Sequence, residues 1–337
     1  MLASSDPIPP LPLACSPKSN EAVTGPLAQP AAISLRFPAR PAPVAIGPIL
    51  AAALDNRWKT YREHLRHCQE HFSEEAVHQL RVVTRRLMAL PALLSTAAPG
   101  AAVEKARRLL KRHLVALGDL RDAQVQRLFI EQKAVRFPEL VWLRGWLQRR
   151  ERRLVATAAD NVRCFKTRKL ERWIADMTDA LAMNARNVRV QRQLTSAVLQ
   201  AAGQAFAEAV ERRRAIDVAE LRTIHQTRVA FKRFRYTVES LSPGLTGLNR
   251  RQLRALAYYQ RKMGIIQDLE VMRECVAQYI RGNKHRDAQL QPFCRHLRQR
   301  RARAVRSFLK SADRLHQFWP PAALAARSEF APASNAA

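Results

Sequence analysis

The side chains best suited to chemistry in this sequence are cations at helical spacing, and the set occurs twice. In Val77–Leu87, His78, Arg81, Arg85 and Arg86 stand in a stretch that recurs 147 positions on in Ile224–Phe234, as His225, Arg228, Lys232 and Arg233, with Arg235 just beyond. A helix turns about 100° per residue, so His78, Arg81 and Arg85 fall within about 60° of arc. Leu80, Val83, Leu87, Leu90 and Leu94 point the other way, as do Ala230, Phe234 and Leu241 in the second stretch. One side is core and the other is a column of donors. Such a column suits a chain of phosphates: Arg bonds phosphate oxygens with a planar fork, Lys acts as a point charge, and His is a donor whose pKa a nearby polyanion raises. A charge run is usually a solvated face. Two runs in register, each headed by His, favour binding.

The elements that position these columns are also duplicated. Leu117–Val125 and Met263–Val271 share a Gly, an Asp and a Val in register, 146 positions apart, with Gln267 where the first block has Arg121. Two blocks in the same order at nearly the same offset mark a tandem duplication. Strong helix formers abound, glycine is scarce, and no runs of period two are present. The expected fold is all-α: two tandem antiparallel four-helix bundles about a pseudo-twofold axis. Helices are expected over 49–71, 73–98, 101–135, 138–162, 169–183, 190–214, 217–241, 248–280 and 287–318, with Ser73 and Asp217 as N-caps and Pro91 as a kink. Ser242-Pro243-Gly244 should break the chain after Leu241. Gly118 and Gly264, inside helices at a cost of ~1 kcal/mol each relative to Ala, suggest close helix contact. Residues 1–47 read as a disordered Pro/Ala-rich arm, 48–163 as the first repeat, 164–188 as a connector, 189–318 as the second repeat and 319–337 as a disordered tail.

The two His-x-x-Arg-Val-x-x-(Arg/Lys)-Arg helices, each followed by a Leu/Met-Gly-x-x-x-Asp-x-x-Val block, resemble the CHAD family, the conserved-histidine α-helical domain. The resemblance covers about residues 50–316. It implies two four-helix bundles with a basic central groove or pore that binds inorganic polyphosphate, often on polyphosphate granules. Carried over residue by residue, it implies that His78, Arg81, Arg85, Arg86, His225, Arg228, Lys232, Arg233 and Arg235 line the binding surface. Arg112, Arg121 and Lys262 follow on neighbouring helices. Asp122 and Asp268 read as supports that orient arginines or as plain salt bridges.

Composition bounds the remaining classes. A net charge of +30 points to an anionic partner, since that much self-repulsion burdens the compact state. Part of the arginine excess can reflect base composition, but 28 acidic residues against 58 basic ones are not explained that way. Five scattered cysteines argue against a disulfide framework or zinc site and suit a reducing compartment. Neither a signal peptide nor a membrane span is evident, so the expected location is cytoplasmic, on granules where the family sits. His64, His67, His71 and His78 with Glu74 and Glu75 are a weak metal candidate, because Ser73 interrupts their helix. No phosphate loop, HExxH or paired acidic set near the columns is found, so no catalysis and no cofactor are expected. The rival is a nucleic-acid backbone binder, held by the same electrostatics and distinguished by aromatic stacking platforms. Aromatics are 7%, with Phe231, Phe234 and Tyr236 in the second copy only. Non-specific nucleic-acid contact is expected at low salt. A granule scaffold that recruits a protein partner through the arm is a third class.

Overall fold

The computed structural model describes residues 46–183, 185, 187–242 and 250–319, all within one unit. Among them there is no strand, as expected for the all-α class. Ten helices run in order: α1 (Ile46–Glu70), α2 (Glu74–Ala97), α3 (Ala101–Ala116), α4 (Gly118–Ala134), α5 (Val141–Arg163), α6 (Arg168–Met183), α7 (Val188–Arg214), α8 (Leu221–Leu241), α9 (Arg250–Gly282) and α10 (Asp287–Leu309). Short 3₁₀ turns, Pro138–Leu140, Lys284–Arg286 and Ala312–Gln317, lie between α4 and α5, between α9 and α10, and after α10. Apart from Ile46, Gly47 and Trp319, the expected arm and tail lie outside the described residues, as do Pro243 and Gly244 of the expected breaker. Trp319 is buried, its ring edge-on to Phe234 at 5.7 Å.

Local chemistry explains most boundaries. Ser73 caps α2 by accepting from the Ala76 amide at 3.1 Å, and Glu74 and Glu75 follow in the positive first turn. Pro91 stands inside α2, which continues to Ala97 before Pro99-Gly100. Asp217 does not cap α8. Its carboxylate accepts from the Ala219 amide at 2.8 Å, closing a local turn, and the helix starts at Leu221. The helix expected over 101–135 is two helices, broken at Leu117 (φ −105°, ψ 5°), whereas the equivalent stretch of the second half runs unbroken through Gly264 in α9. The helix expected over 287–318 ends at Leu309, and a 3₁₀ turn follows.

The order of packing repeats. α2 lies on α1 and α3 as α8 lies on α7 and α9, and α4–α5 pair as α9–α10 do. α6, in the expected connector, has no counterpart. Its Leu170, Ile174, Met177 and Leu181 are buried, and it packs on α1 and α3. The cores cut across the duplication. The main one joins Leu80, Leu87 and Leu110 to Phe231, Phe234 and Phe308. A smaller one joins Ile130, Leu143 and Leu147 of α4–α5 to Leu269, Phe293 and Leu297 of α9–α10. Leu80, Val83, Leu87, Leu90 and Leu94 are all buried, and so are Ala230, Phe234 and Leu241, so the apolar sides of α2 and α8 are the ones read from the spacing. Cys68, Cys164, Cys275 and Cys294 are all unpaired, and Cys15 lies outside the described residues. No helix among the described residues is long and apolar enough to cross a membrane.

Candidate functional site

α2 and α8 pack on one another, and this contact turns two columns into one cluster. Lys232 of α8 is at its centre. Burial pushes its ammonium down to about 8, and Arg85, Arg228, Arg81 and Arg235 push the same way. Two of these arginines come from each copy of the repeat. Cations so placed, part-desolvated and facing one another, are under strain that an anion between them relieves.

The duplicated arginines have separate roles. Arg81 is buried, and its Nη1 donates to the Leu114 carbonyl at 2.6 Å. Leu114 lies in the last turn of α3, whose carbonyls have no helical donors once the helix breaks at Leu117. A guanidinium there satisfies one of them and complements the negative helix end. Burial lowers Arg81 to about 10, with Arg85 acting in the same sense and Asp122 against it. Arg228, its equivalent, has no such carbonyl, because α9 is continuous. Its Nε, like that of Arg81, is enclosed without an acceptor, and lies 3.9 Å from where a Cβ on Gly264 would stand. Close helix contact, the expected reason for the two glycines, is therefore absent. A Cβ on Gly118 would meet nothing within 4 Å, and Gly264 faces a guanidinium.

The carboxylates are also closer than the sequence indicates. Asp122 lies in the field of Arg81 and Arg85, and Asp268 in that of Arg228 and of Asp122. Neither aspartate makes an ion-pair contact among the described residues, so the plain salt bridge weighed for them is not formed. Enclosure among protein atoms raises both carboxyls above the usual range, although both side chains still meet solvent.

His78 heads the first column beside Arg121, Arg85 and Arg81, with Glu75 opposing. Burial first, and Arg121 next, hold it below the usual histidine range, so it is neutral at pH 7 without an anion. Arg121 is paired with Glu74 at 3.3 Å, and Arg127 holds the same carboxylate at 2.7 Å. In the second copy, exposed His225 shares a hydrogen bond through Nδ1 with Gln267, which stands where the first copy has Arg121.

Other expected residues turn to other partners. Arg86 is exposed, and its carbonyl accepts from Arg57 Nη1 at 2.8 Å. Arg233 pairs with Glu208 on α7 at 3.3 Å. Arg235 pairs with Glu239 at 2.6 Å while staying near Lys232. Lys262 donates to Ser311 Oγ at 2.8 Å, beyond α10. Arg112 faces a groove between α3 and α6. Arg57, which also reaches Ser240 Oγ at 3.0 Å, and Arg150, near Asp122, escaped the sequence reading because neither belongs to a repeated block. Phe231 and Phe234 are fully buried, and of the three aromatics only Tyr236 lies near cations, with Lys232 and Arg235 over its ring. Among the described residues no group of three or more His, Cys, Asp or Glu is placed to hold a metal, and Glu74 of the metal candidate is engaged by arginines.

The chain is similar in structure to the CHAD domain from the plant Ricinus communis, at 20% identity and a TM-score of 0.53, over 83% of this chain and 92% of that one. It is also similar to PptA from Streptomyces chartreusis, at 17% identity and a TM-score of 0.56, over 79% of this chain and 98% of that one. Likeness at these identities shows the fold. No curated protein matches the sequence significantly. The family model of the CHAD domain matches residues 50–277, which takes in both columns and both Gly-Asp blocks, and the chain therefore belongs to the CHAD domain family.

Proposed function

We propose that the chain binds inorganic polyphosphate in a basic groove between α2 and α8 and does so without catalysis. The observation that carries this reading is the surroundings of Lys232: four arginines, two from each copy, and a pKa pushed down to about 8. An inserted chain of phosphates supplies the counter-charge these groups lack, and the duplication presents donors on both sides of it. Burial of Phe231 and Phe234 leaves Tyr236 as the one of the three aromatics beside these cations, fewer stacking platforms than a run of bases would use, which favours a ligand made of phosphate alone. The two aspartates serve as supports for arginines on this reading, and a granule-associated cytoplasmic role belongs to it.

The test is competition at about physiological salt, where weak surface contacts are screened. Labelled long-chain polyphosphate is bound to the wild type and to a variant carrying Arg85→Ala and Arg228→Ala, with single-stranded DNA and transfer RNA as competitors. Arg81 is left in place because it also caps α3. The expected result is polyphosphate that withstands excess nucleic acid, and a loss of about 100-fold in the variant, roughly tenfold per charge-assisted contact. Unchanged binding by the variant, or easy displacement by nucleic acid, would reject the reading. Phosphate released from polyphosphate by the pure protein with magnesium would reject the non-catalytic part.

A further inference from the structure

A groove of about 680 Å³ between α3 and α6 has a composition unlike that of the Lys232 cluster. Lys105, Arg108 and Arg112 line it at spacings of three and four along α3, and Lys111 joins them. All four are exposed, and no carboxylate lines the groove. Arg108 turns its Nε to the Glu104 carbonyl at 3.3 Å. Lys105, Lys111 and Arg112 have no hydrogen-bond or ion-pair partner among the described residues. The remaining wall is apolar: the half-buried indole of Trp173 on α6, and Val115, which is 68% exposed. α6 has no counterpart in the second half, so the groove lies outside the duplicated pattern.

From these observations we infer that the groove is a second binding site, separate from the Lys232 cluster, and that it takes a nucleoside polyphosphate. The base stacks on Trp173 beside Val115, and the phosphates meet the α3 cations. A chain of phosphates alone has no use for an indole and an exposed valine. An aromatic ring carrying several negative charges matches both walls, and the volume lies within the roughly 300–1,000 Å³ of small-molecule sites. Stacking on an aromatic side chain adds about tenfold or more in affinity per base. This inference does not rest on polyphosphate being the ligand of the Lys232 cluster.

The experiment is calorimetric titration of the full chain with ATP and with inorganic tripolyphosphate, which keeps the phosphates and lacks the base. Lys105→Ala with Lys111→Ala should weaken ATP at least tenfold. Trp173→Leu should weaken ATP about tenfold and leave tripolyphosphate unchanged. Lys232→Met should leave ATP at this site unchanged. Trp173 packs partly on the core, so a second readout avoids mutating it: in the wild type its indole N–H resonance should shift with ATP and stay in place with tripolyphosphate. Equal loss of both ligands in Trp173→Leu, an indole that ignores ATP, or an ATP site that disappears with Lys232→Met would each overturn the inference.

Discussion

Lys232 is held charged at neutral pH by a fold that disfavours its charge. Its folded pKa, about 8, lies below the ordinary lysine value of 10.5, so folding is penalised while the ammonium is charged in both states. That penalty is complete below pH 8 and fades as pH rises from 8 toward 10.5. Lys232→Met removes the charge and keeps the apolar stem, so the free variant should be more stable by roughly 1–3 kcal/mol at pH 7. The gap to wild type should narrow between pH 8 and 10, and polyphosphate affinity should fall. Urea titrations of both proteins at pH 7 and pH 10 measure this. An equal or lower stability at pH 7 would show that the cluster is already compensated. The place of Lys232 in its column was legible in the sequence, since the register of the repeat makes it the equivalent of Arg85. The division of labour between Arg81 and Arg228 was not. It depends on whether a carbonyl of the next helix is open to a donor, and two identical side chains at equivalent positions say nothing about that.

Helix ends show the same boundary between what spacing decides and what packing decides. Ser73 and the Pro-Gly pair after α2 act through their own backbone geometry, so they could be read directly. Leu117-Gly118 and Met263-Gly264 look alike in sequence, yet one breaks its helix and the other does not. The two places also differ in tertiary contacts: Arg81 donates to the Leu114 carbonyl beside the break, and Arg228 makes no such bond to the continuous helix. Asp217 misled for a related reason: its carboxylate found a nearer amide, in a turn, before the helix began. Glycines make the distinction measurable. Gly118→Ala adds a methyl that meets nothing within 4 Å at the start of α4, and should stabilise by about 0.5–1 kcal/mol through lost backbone freedom in the unfolded chain. Gly47→Ala places its methyl 2.7 Å from the Leu181 carbonyl and beside Gln191, which accepts from the Gly47 amide at 2.9 Å. It should destabilise by about 1–3 kcal/mol. Opposite signs in thermal melts of the two variants are expected, and the same sign in both would refute this account of α1 and α4.

At the scale of the whole molecule the charge acts on folding and binding in opposite directions. The all-α class, the duplication and the cationic columns were legible because each is a matter of composition or period. The interlocked cores and the meeting of Asp122 with Asp268 were not, because they join residues far apart in the chain. A net charge of +30 repels itself in the compact state more than in the expanded one, so added salt should raise the thermal midpoint of the free protein. Salt also lowers the counterion-release gain on which phosphate binding depends. With five cations around the site, and the coefficient of single-stranded polyanions, log affinity for polyphosphate should fall against log salt with a slope on the order of −3 to −4. Arg85→Ala with Arg228→Ala should shrink that slope by about 1.4, two contacts' worth, while leaving the rise of the free protein's midpoint with salt nearly as it was. Repulsion is spread over the whole chain and the binding slope over a few residues. A slope unchanged in the double variant would mean that polyphosphate is held by the diffuse positive surface and that the cluster between α2 and α8 has no special part in binding it.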